Sequence, residues 1–293
     1  MISVKENAYA KINLYLDVLS KRDDGFHEVK TVMHTVSLAD EVTVSLRSSD
    51  RPSVKLSVIG HPKLPTDSRN LAYRAAELFL ESTLIRAEVH VKLIKRIPVA
   101  AGLAGGSTDA AAVLRALNKA FKRPLTEKRL LSFAAQLGSD VPYCLLGGTA
   151  LCYGRGECIE RLSENLSLNV VIAVSDEHVS TPWAYSELDR IYSDFKGVRN
   201  DDPESKFEAV IKSVQTGDTS EIQLFNIFEN AIIPSYNGAE MLKTKMTELG
   251  ASHSLMSGSG PSVFGIFADR ASAERAKDAL IRMGIRAYSA KTV

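Results

Sequence analysis

The stretch that most constrains this chain is residues 97–109, Ile97-Pro98-Val99-Ala100-Ala101-Gly102-Leu103-Ala104-Gly105-Gly106-Ser107-Thr108-Asp109. Three glycines within five residues, followed by Ser107, Thr108 and Asp109 and then an alanine-rich run, describe a backbone that bends tightly and opens into a helix. Such a corner suits an anion, because no Cβ keeps a phosphate away and the first helical N–H groups have no partner inside the helix. A nucleotide phosphate is one reading; a strand-to-helix turn without a ligand is the other. No Lys follows the glycines as in a Walker A loop, and the spacing is not G-x-G-x-x-G, so a cationic partner has to come from elsewhere in the chain.

With 293 residues, 45% of them hydrophobic, the chain can form one large domain or two ordinary ones. Its 36 Lys and Arg against 35 Asp and Glu leave a net charge of +1, which argues against a binder of nucleic-acid backbones. Cys144, Cys152 and Cys158 are odd in number and never spaced as C-x-x-C, which disfavours a disulfide framework or a zinc site and suits a reducing compartment. No basic segment leads into an apolar core at the N-terminus, and no apolar run reaches membrane-spanning length, so the expectation is a cytoplasmic protein.

Tyr9 to Val18 alternates as a half-buried strand and sets Lys11 and Asn13 on one face, either toward solvent or together toward a site. A turn, Asp23-Asp24-Gly25-Phe26-His27, follows; Phe26 and His27 could meet a base, or Phe26 could plug the core. Strands are expected over 29–36, 41–46 and 54–58, a helix from Asn70, and a strand over 87–93 that delivers the chain into the glycine loop. Helices are expected over 110–121 and from a Thr126 cap to Gly138, after which Asp140 is either a turn cap or a carboxylate held at a site. Tyr143 to Cys152 reads as a strand pair or bulged strand, with all three cysteines as core residues.

A composition shift at Ser163 to Ser167 places a domain boundary between 1–164 and 165–293. Beyond it come a strand over 168–174, then a helix with Thr181 as cap and Pro182 at its first position, carrying Trp183 and Tyr185 as core or base-stacking residues. A polar stretch over 193–206 precedes helices over 206–215, 219–230 and 234–249. His253 to Phe267 reads as a hairpin around Ser257-Gly258-Ser259-Gly260, whose exposed amides make either an ordinary turn or part of an anion site. A helix over 270–283 and a strand over 285–290 complete a ferredoxin-like order, and the whole is α+β.

Three stretches together resemble, in order and spacing, the motifs of the GHMP small-molecule kinases: Ala10-Lys11-Ile12-Asn13-Leu14, Pro98 to Thr108, and Met256-Ser257-Gly258-Ser259-Gly260-Pro261. Asp24-Gly25-Phe26-His27, Leu137-Gly138-Ser139-Asp140-Val141-Pro142 and Gly154-Arg155-Gly156-Glu157 are similar to the branch that phosphorylates the 2-hydroxyl of a cytidine diphosphate conjugate of methylerythritol. The resemblance implies a two-domain GHMP kinase fold, ribosomal-protein-S5-domain-2-like at the N-terminus and ferredoxin-like at the C-terminus, acting with ATP and Mg²⁺. It implies Lys11 and Asp140 as the catalytic pair, Pro98, Val99, Ala100, Ala101, Gly102, Leu103, Ala104, Gly105, Gly106, Ser107 and Thr108 as the ATP phosphate loop, and Asn70 and Lys95 near the adenine. On the substrate side it implies Asn13, His27, Gly258, Ser259 and Gly260, with Phe26 and Tyr185 sandwiching the cytosine. It also overturns the solvent-facing reading of Lys11 and the plain-turn readings of Asp140 and the 257–260 segment.

Two departures matter: Tyr9 stands where the family usually has Pro, and Phe26 where it commonly has Tyr, so a stacking face remains and a hydroxyl is lost. A decarboxylase of the same superfamily, a binding protein without catalysis and an RNA-binding module on a related fold are the alternatives, and the Mg²⁺ ligands are left open.

Overall fold

The computed structural model describes residues 2–162, 165–192 and 202–293. They divide into two compact units, neither continuous in sequence: Met1–Ala10, Ala39–Val99 and Ala104–Gly147 form the first, and Lys11–Leu38, Ala100–Leu103 and Gly148–Val293 the second. Residues 163–164, at the expected boundary, lie outside the described residues.

Two long strands, β1 (Ile2–Lys21) and β2 (His27–Ser48), run through both units. The expected strands over 29–36 and 41–46 are one continuous β2; the polar Ser37 and Asp40 interrupt its apolar run, and Asp40 is fully buried in the strand. In the first unit β2 pairs antiparallel with β4 (Ala87–Ile94), from Glu41 opposite Ile94 to Ser48 opposite Ala87, and β4 pairs in parallel with β3 (Ser53–Ile59). Strict alternation makes β4: Ala87, Val89, Val91 and Leu93 are buried, while Glu88, His90 and Lys92 face solvent.

Four helices belong to this unit: α1 (Leu71–Thr83), α2 (Gly105–Ala120), α3 (Glu127–Leu137) and α4 (Val141–Leu146). Asn70 caps α1 and Thr126 caps α3 through side-chain oxygens. Buried alanines on both α1 (Ala72, Ala75, Ala76) and α2 (Ala110, Ala111, Ala112, Ala116) let these two helices pack closely. The glycine corner opens into α2 five residues earlier than the expected start at Ala110, so Ser107, Thr108 and Asp109 sit inside the helix and not ahead of it. Its N-cap is Ala104, in the left-handed region at φ 57, a conformation that sequence reading assigns to glycine. The expected strand pair over 143–152 is instead α4 followed by β5 (Thr149–Gly154); Pro142 in the first helical turn signals the helix, which is too short for its period to show.

In the second unit β5 pairs antiparallel with β2, Val29 opposite Gly154 to His34 opposite Thr149, and β6 (Cys158–Arg161) continues beyond β5. Cys144 and Cys152 are buried as expected, but Cys158 is exposed on that outer strand. A second sheet holds β7 (Asn169–Val174), β9 (His253–Met256), β10 (Ser262–Phe267) and β11 (Arg286–Lys291) in the order β11-β7-β10-β9, antiparallel throughout, the order of a ferredoxin-like sandwich. Helices α8 (Asn237–Glu248) and α9 (Arg270–Arg282) pack on it. Among the described residues this unit also holds α5 (Thr181–Ile191), α6 (Pro203–Thr216) and the four-residue α7 (Glu229–Ile232).

The expected helix over 219–230 is not there. Its apolar residues Ile222, Phe225, Ile227 and Phe228 are buried, but Phe225–Asn226 form β8, a two-residue strand in parallel register with Tyr15 and Leu16. Helix α6 starts at Pro203, three residues before its expected start, with Asp202 as cap, and residues 193–201 of the expected polar stretch lie outside the described residues. Ser180 and not Thr181 is the N-cap of α5. Among the described residues no helix is long and apolar enough to cross a membrane.

Candidate active site

β1 carries Lys11 and Asn13 on one face, as their spacing requires, but the face is not solvated: Lys11 is 4% and Asn13 2% exposed. Burial of an ammonium needs partners. Lys11 Nζ donates to Asn13 Oδ1 at 2.6 Å and to the Gly102 carbonyl at 2.9 Å, and the Lys11 amide donates to the Leu103 carbonyl. Asn13 Nδ2 donates to Thr31 Oγ1 at 2.8 Å, and the Thr31 hydroxyl in turn donates to the Tyr15 carbonyl at 2.6 Å. The first motif is therefore bound to the glycine loop through one lysine.

The third motif closes on the same place. Gly258 N–H donates to Asn13 Oδ1 at 3.0 Å, Ser257 Oγ donates to the Gly102 carbonyl at 3.1 Å, and Ser262 Oγ donates to the Ala101 carbonyl. Gly102 is at φ 73, and a Cβ there would sit 2.0 Å from the Ser257 carbonyl oxygen, so only glycine fits. The sequence reading left the hairpin amides exposed; instead the Gly258 amide is bound to Asn13 and the Gly260 amide to the Ser257 carbonyl. Ser259 Oγ pairs with Thr181 Oγ1 at 2.8 Å, which explains why Thr181 does not cap α5.

The loop itself turns through left-handed residues at Ala100, Gly102 and Ala104 before α2 begins. No side chain caps the first amides of α2, and Gly105 and Gly106 add no Cβ there, so the helix start fits a phosphate group. Thr108 Oγ1 donates to the Tyr9 carbonyl at 2.7 Å, while Ser107 is half-buried. Pro98 is buried and Val99 exposed.

Asp140 lies at the N-cap of α4, half-buried, and its carboxylate makes no capping bond. The helix behind it is pinned: Arg115 of α2 donates to the Cys144 carbonyl at 2.8 Å and the Leu145 carbonyl at 3.3 Å, covering helix-end groups that lack partners. Asn70 is occupied as the α1 cap, its Oδ1 accepting from Ala72 and its Nδ2 donating to the Pro65 carbonyl. The Lys95 ammonium is buried between two carboxylates, bonded to Asp40 and, at 2.8 Å, to Asp109 of α2. Burial opposes the Lys95 charge, but Asp109 and Asp40 outweigh it and raise its pKa. Burial pushes the Asp109 carboxyl well above the usual carboxylate range, Lys95 opposing and Asp40 adding to the rise. Asp40 Oδ1 also accepts the amides of Arg96 and Ile97, which lead into the loop. Sequence reading missed this cluster because Asp40 lies 55 residues from Lys95.

At the first residue of β2, His27 is 8% exposed; its Nε2 meets Asp189 at 2.7 Å and its ring stacks on Tyr185 at 4.6 Å. Tyr185 also meets Phe228 edge-on. Burial works against the Asp189 charge, but Lys21 and His27 hold its pKa below the usual value. Phe26 is 51% exposed with the Arg155 guanidinium 4.9 Å from its ring centre. Asp189, Thr31 and Phe228 are not legible as site residues, since only the folded chain brings them to His27, Asn13 and Tyr185 respectively.

Residues 70–148 match the GHMP kinases N terminal domain, and residues 219–286 match GHMP kinases C terminal. The chain is 43% identical over 275 residues to a 4-diphosphocytidyl-2-C-methyl-D-erythritol kinase of Caldicellulosiruptor saccharolyticus, covering 93% of this chain and 91% of that one. It is 44% identical over 277 residues to the kinase of that name from Gloeobacter violaceus, covering 94% and 89%. A crystal structure of 4-(cytidine 5'-diphospho)-2C-methyl-D-erythritol kinase superimposes over 99% of both chains with a TM-score of 0.82 at 33% identity.

Proposed function

Because this chain belongs to the GHMP kinases, and within them to the 4-diphosphocytidyl-2-C-methyl-D-erythritol kinases, we propose that it transfers the γ-phosphoryl group of ATP to the 2-hydroxyl of 4-diphosphocytidyl-2-C-methyl-D-erythritol. The observation that carries the reading is the cluster in which Lys11 and Asn13 of the first motif bind the Gly102 carbonyl of the second and the Gly258 amide of the third.

In this reading the uncapped amides of α2 and the loop ahead of it hold the phosphates. Lys11 brings a positive charge to the loop carbonyl it grips and offsets negative charge on the transferring group. Asp140 takes the proton of the 2-hydroxyl. A carboxylate is a weak base for an alcohol. That suffices, because in a loose transition state the proton leaves late and alignment with charge stabilisation carries the rate. A Mg²⁺ bound with the nucleotide would neutralise charge on the phosphate oxygens. His27, fixed by Asp189 and Tyr185, and the exposed ring of Phe26 serve the cytidine end of the substrate. In this reading the reaction runs in the cytoplasm, which suits three cysteines never spaced as C-x-x-C.

A coupled ADP-release assay tests this. Turnover should require the cytidine diphosphate alcohol, and Asp140→Asn should lower kcat by orders of magnitude with ATP binding nearly intact. A fall of less than about tenfold, equal to 1.4 kcal/mol, would remove Asp140 as the base.

A further inference from the structure

Asn226 takes no part in the mechanism above and belongs to a segment whose sequence reads as helix, yet it is 3% exposed and every polar atom of its amide is used. Its Nδ2 donates to the Met256 carbonyl at 2.7 Å and to the Gly258 carbonyl at 2.8 Å, and its Oδ1 accepts the Phe228 amide at 3.0 Å. One side chain thus ties down two carbonyls two residues apart, and Glu229 adds a third tie by accepting the Met256 amide at 2.9 Å. The 257–258 peptide lies between these two held carbonyls, and its Gly258 N–H donates to Asn13 Oδ1.

Asn13 cannot turn to present its other end. Thr31 spends its hydroxyl proton on the Tyr15 carbonyl, so its oxygen has to accept, and it accepts from Asn13 Nδ2. Asn13 Oδ1 therefore faces both the Gly258 amide and the Lys11 ammonium. A Cβ on Gly258 would lie 3.3 Å from Lys11 Nζ, which shows how closely the turn backs the amine.

We infer that Asn226 is a positioning residue for Lys11, acting through the Gly258 peptide and Asn13. The inference rests on the kinase reading only in that turnover reports it. Asn226→Asp keeps the size and the acceptor for Phe228 but removes both donors, so the 256–258 turn loses its tether and Asn13 loses a fixed partner.

The experiment measures kcat, both KM values and the Lys11 ammonium ¹⁵N resonance, assigned by its loss in Lys11→Met, well below the melting temperature. N226D should lower kcat roughly 10- to 100-fold, as small misplacements of a reacting group do, with KM for ATP held within about twofold. In the Lys11→Met background N226D should cause no further loss, because residues acting as one unit are not additive. The Lys11 resonance should move in N226D. Asn226→Ser, which keeps one donor and adds no charge, should fall between N226D and wild type and replaces it should N226D not fold. Losses that multiply in the double variant, or an unmoved Lys11 resonance, would overturn the assignment even if the melting temperature drops. Absence of turnover in the wild-type protein would instead count against the kinase reading, and the resonance would still judge Asn226.

Discussion

Replacing Lys95 with Met removes one ammonium from a pocket in which the side chains of Lys95, Asp40 and Asp109 are 4%, 0% and 4% exposed. Methionine fills nearly the same volume, so the loss is electrostatic. Breaking a buried ion pair by deleting one partner costs about 3–5 kcal/mol. The lower end applies here, because Asp40 keeps the Arg96 and Ile97 amides and burial already favours a proton on Asp109. For a chain of this size about 2 °C is lost per kcal/mol, which puts the fall in melting temperature near 6 °C. Asp109→Asn keeps the shape and an acceptor for the Lys95 ammonium, and because burial opposes the Asp109 charge it should cost less than Lys95→Met.

The pH dependence separates these two variants. The folded-state pKa of Asp109 lies above its unfolded value near 3.8, so the native state binds more protons and wild-type stability from this group falls as pH rises above about 4. Asp109→Asn has no such group, and its melting temperature relative to wild type should climb across that range. Differential scanning calorimetry from pH 4 to 8 reads both effects. A Lys95→Met protein melting within about 2 °C of wild type, or a difference curve for Asp109→Asn that is flat with pH, would refute the reasoning.

Two further outcomes follow from the site. Gly102→Ala places a Cβ 2.0 Å from the Ser257 carbonyl at a left-handed residue, so the loop has to shift; KM for ATP, read by steady-state kinetics, should rise by at least about tenfold, and an unchanged value would mean the loop does not hold the nucleotide. Phe26→Ala removes an exposed stacking face worth about 1–3 kcal/mol per base, so KM for the cytidine substrate should rise about 5- to 150-fold with KM for ATP unchanged; equal effects on both would deny Phe26 a place against cytosine.

Much of the scaffold was legible where local rules agree with the fold. Alternation defines β4, Thr126 and Gly138 bracket α3, and the hairpin, helix and strand from His253 onward follow their turn and cap signals. The failures fall where distant partners decide. Residues 219–230 space their apolar side chains as a helix would, yet β1 captures Phe225 and Asn226 as a strand, which no local window reveals. Ala104 begins α2 from a left-handed conformation that its side chain does not advertise. The spacing of Lys11 and Asn13 put them on one face correctly, but their burial depends on the Gly102 and Gly258 peptides far along the chain. Lys95, which the resemblance places near the adenine, has its ammonium between Asp40 and Asp109, a cluster that required β2, β4 and α2 to be assembled first.

The identity of the phosphorylated product tests the central claim most directly. Wild-type protein incubated with ATP and 4-diphosphocytidyl-2-C-methyl-D-erythritol should yield ADP and one new phosphomonoester, seen by ³¹P NMR as coupled to the substrate's second carbon. ADP released without that resonance, or a phosphate found on a different hydroxyl, would contradict the account.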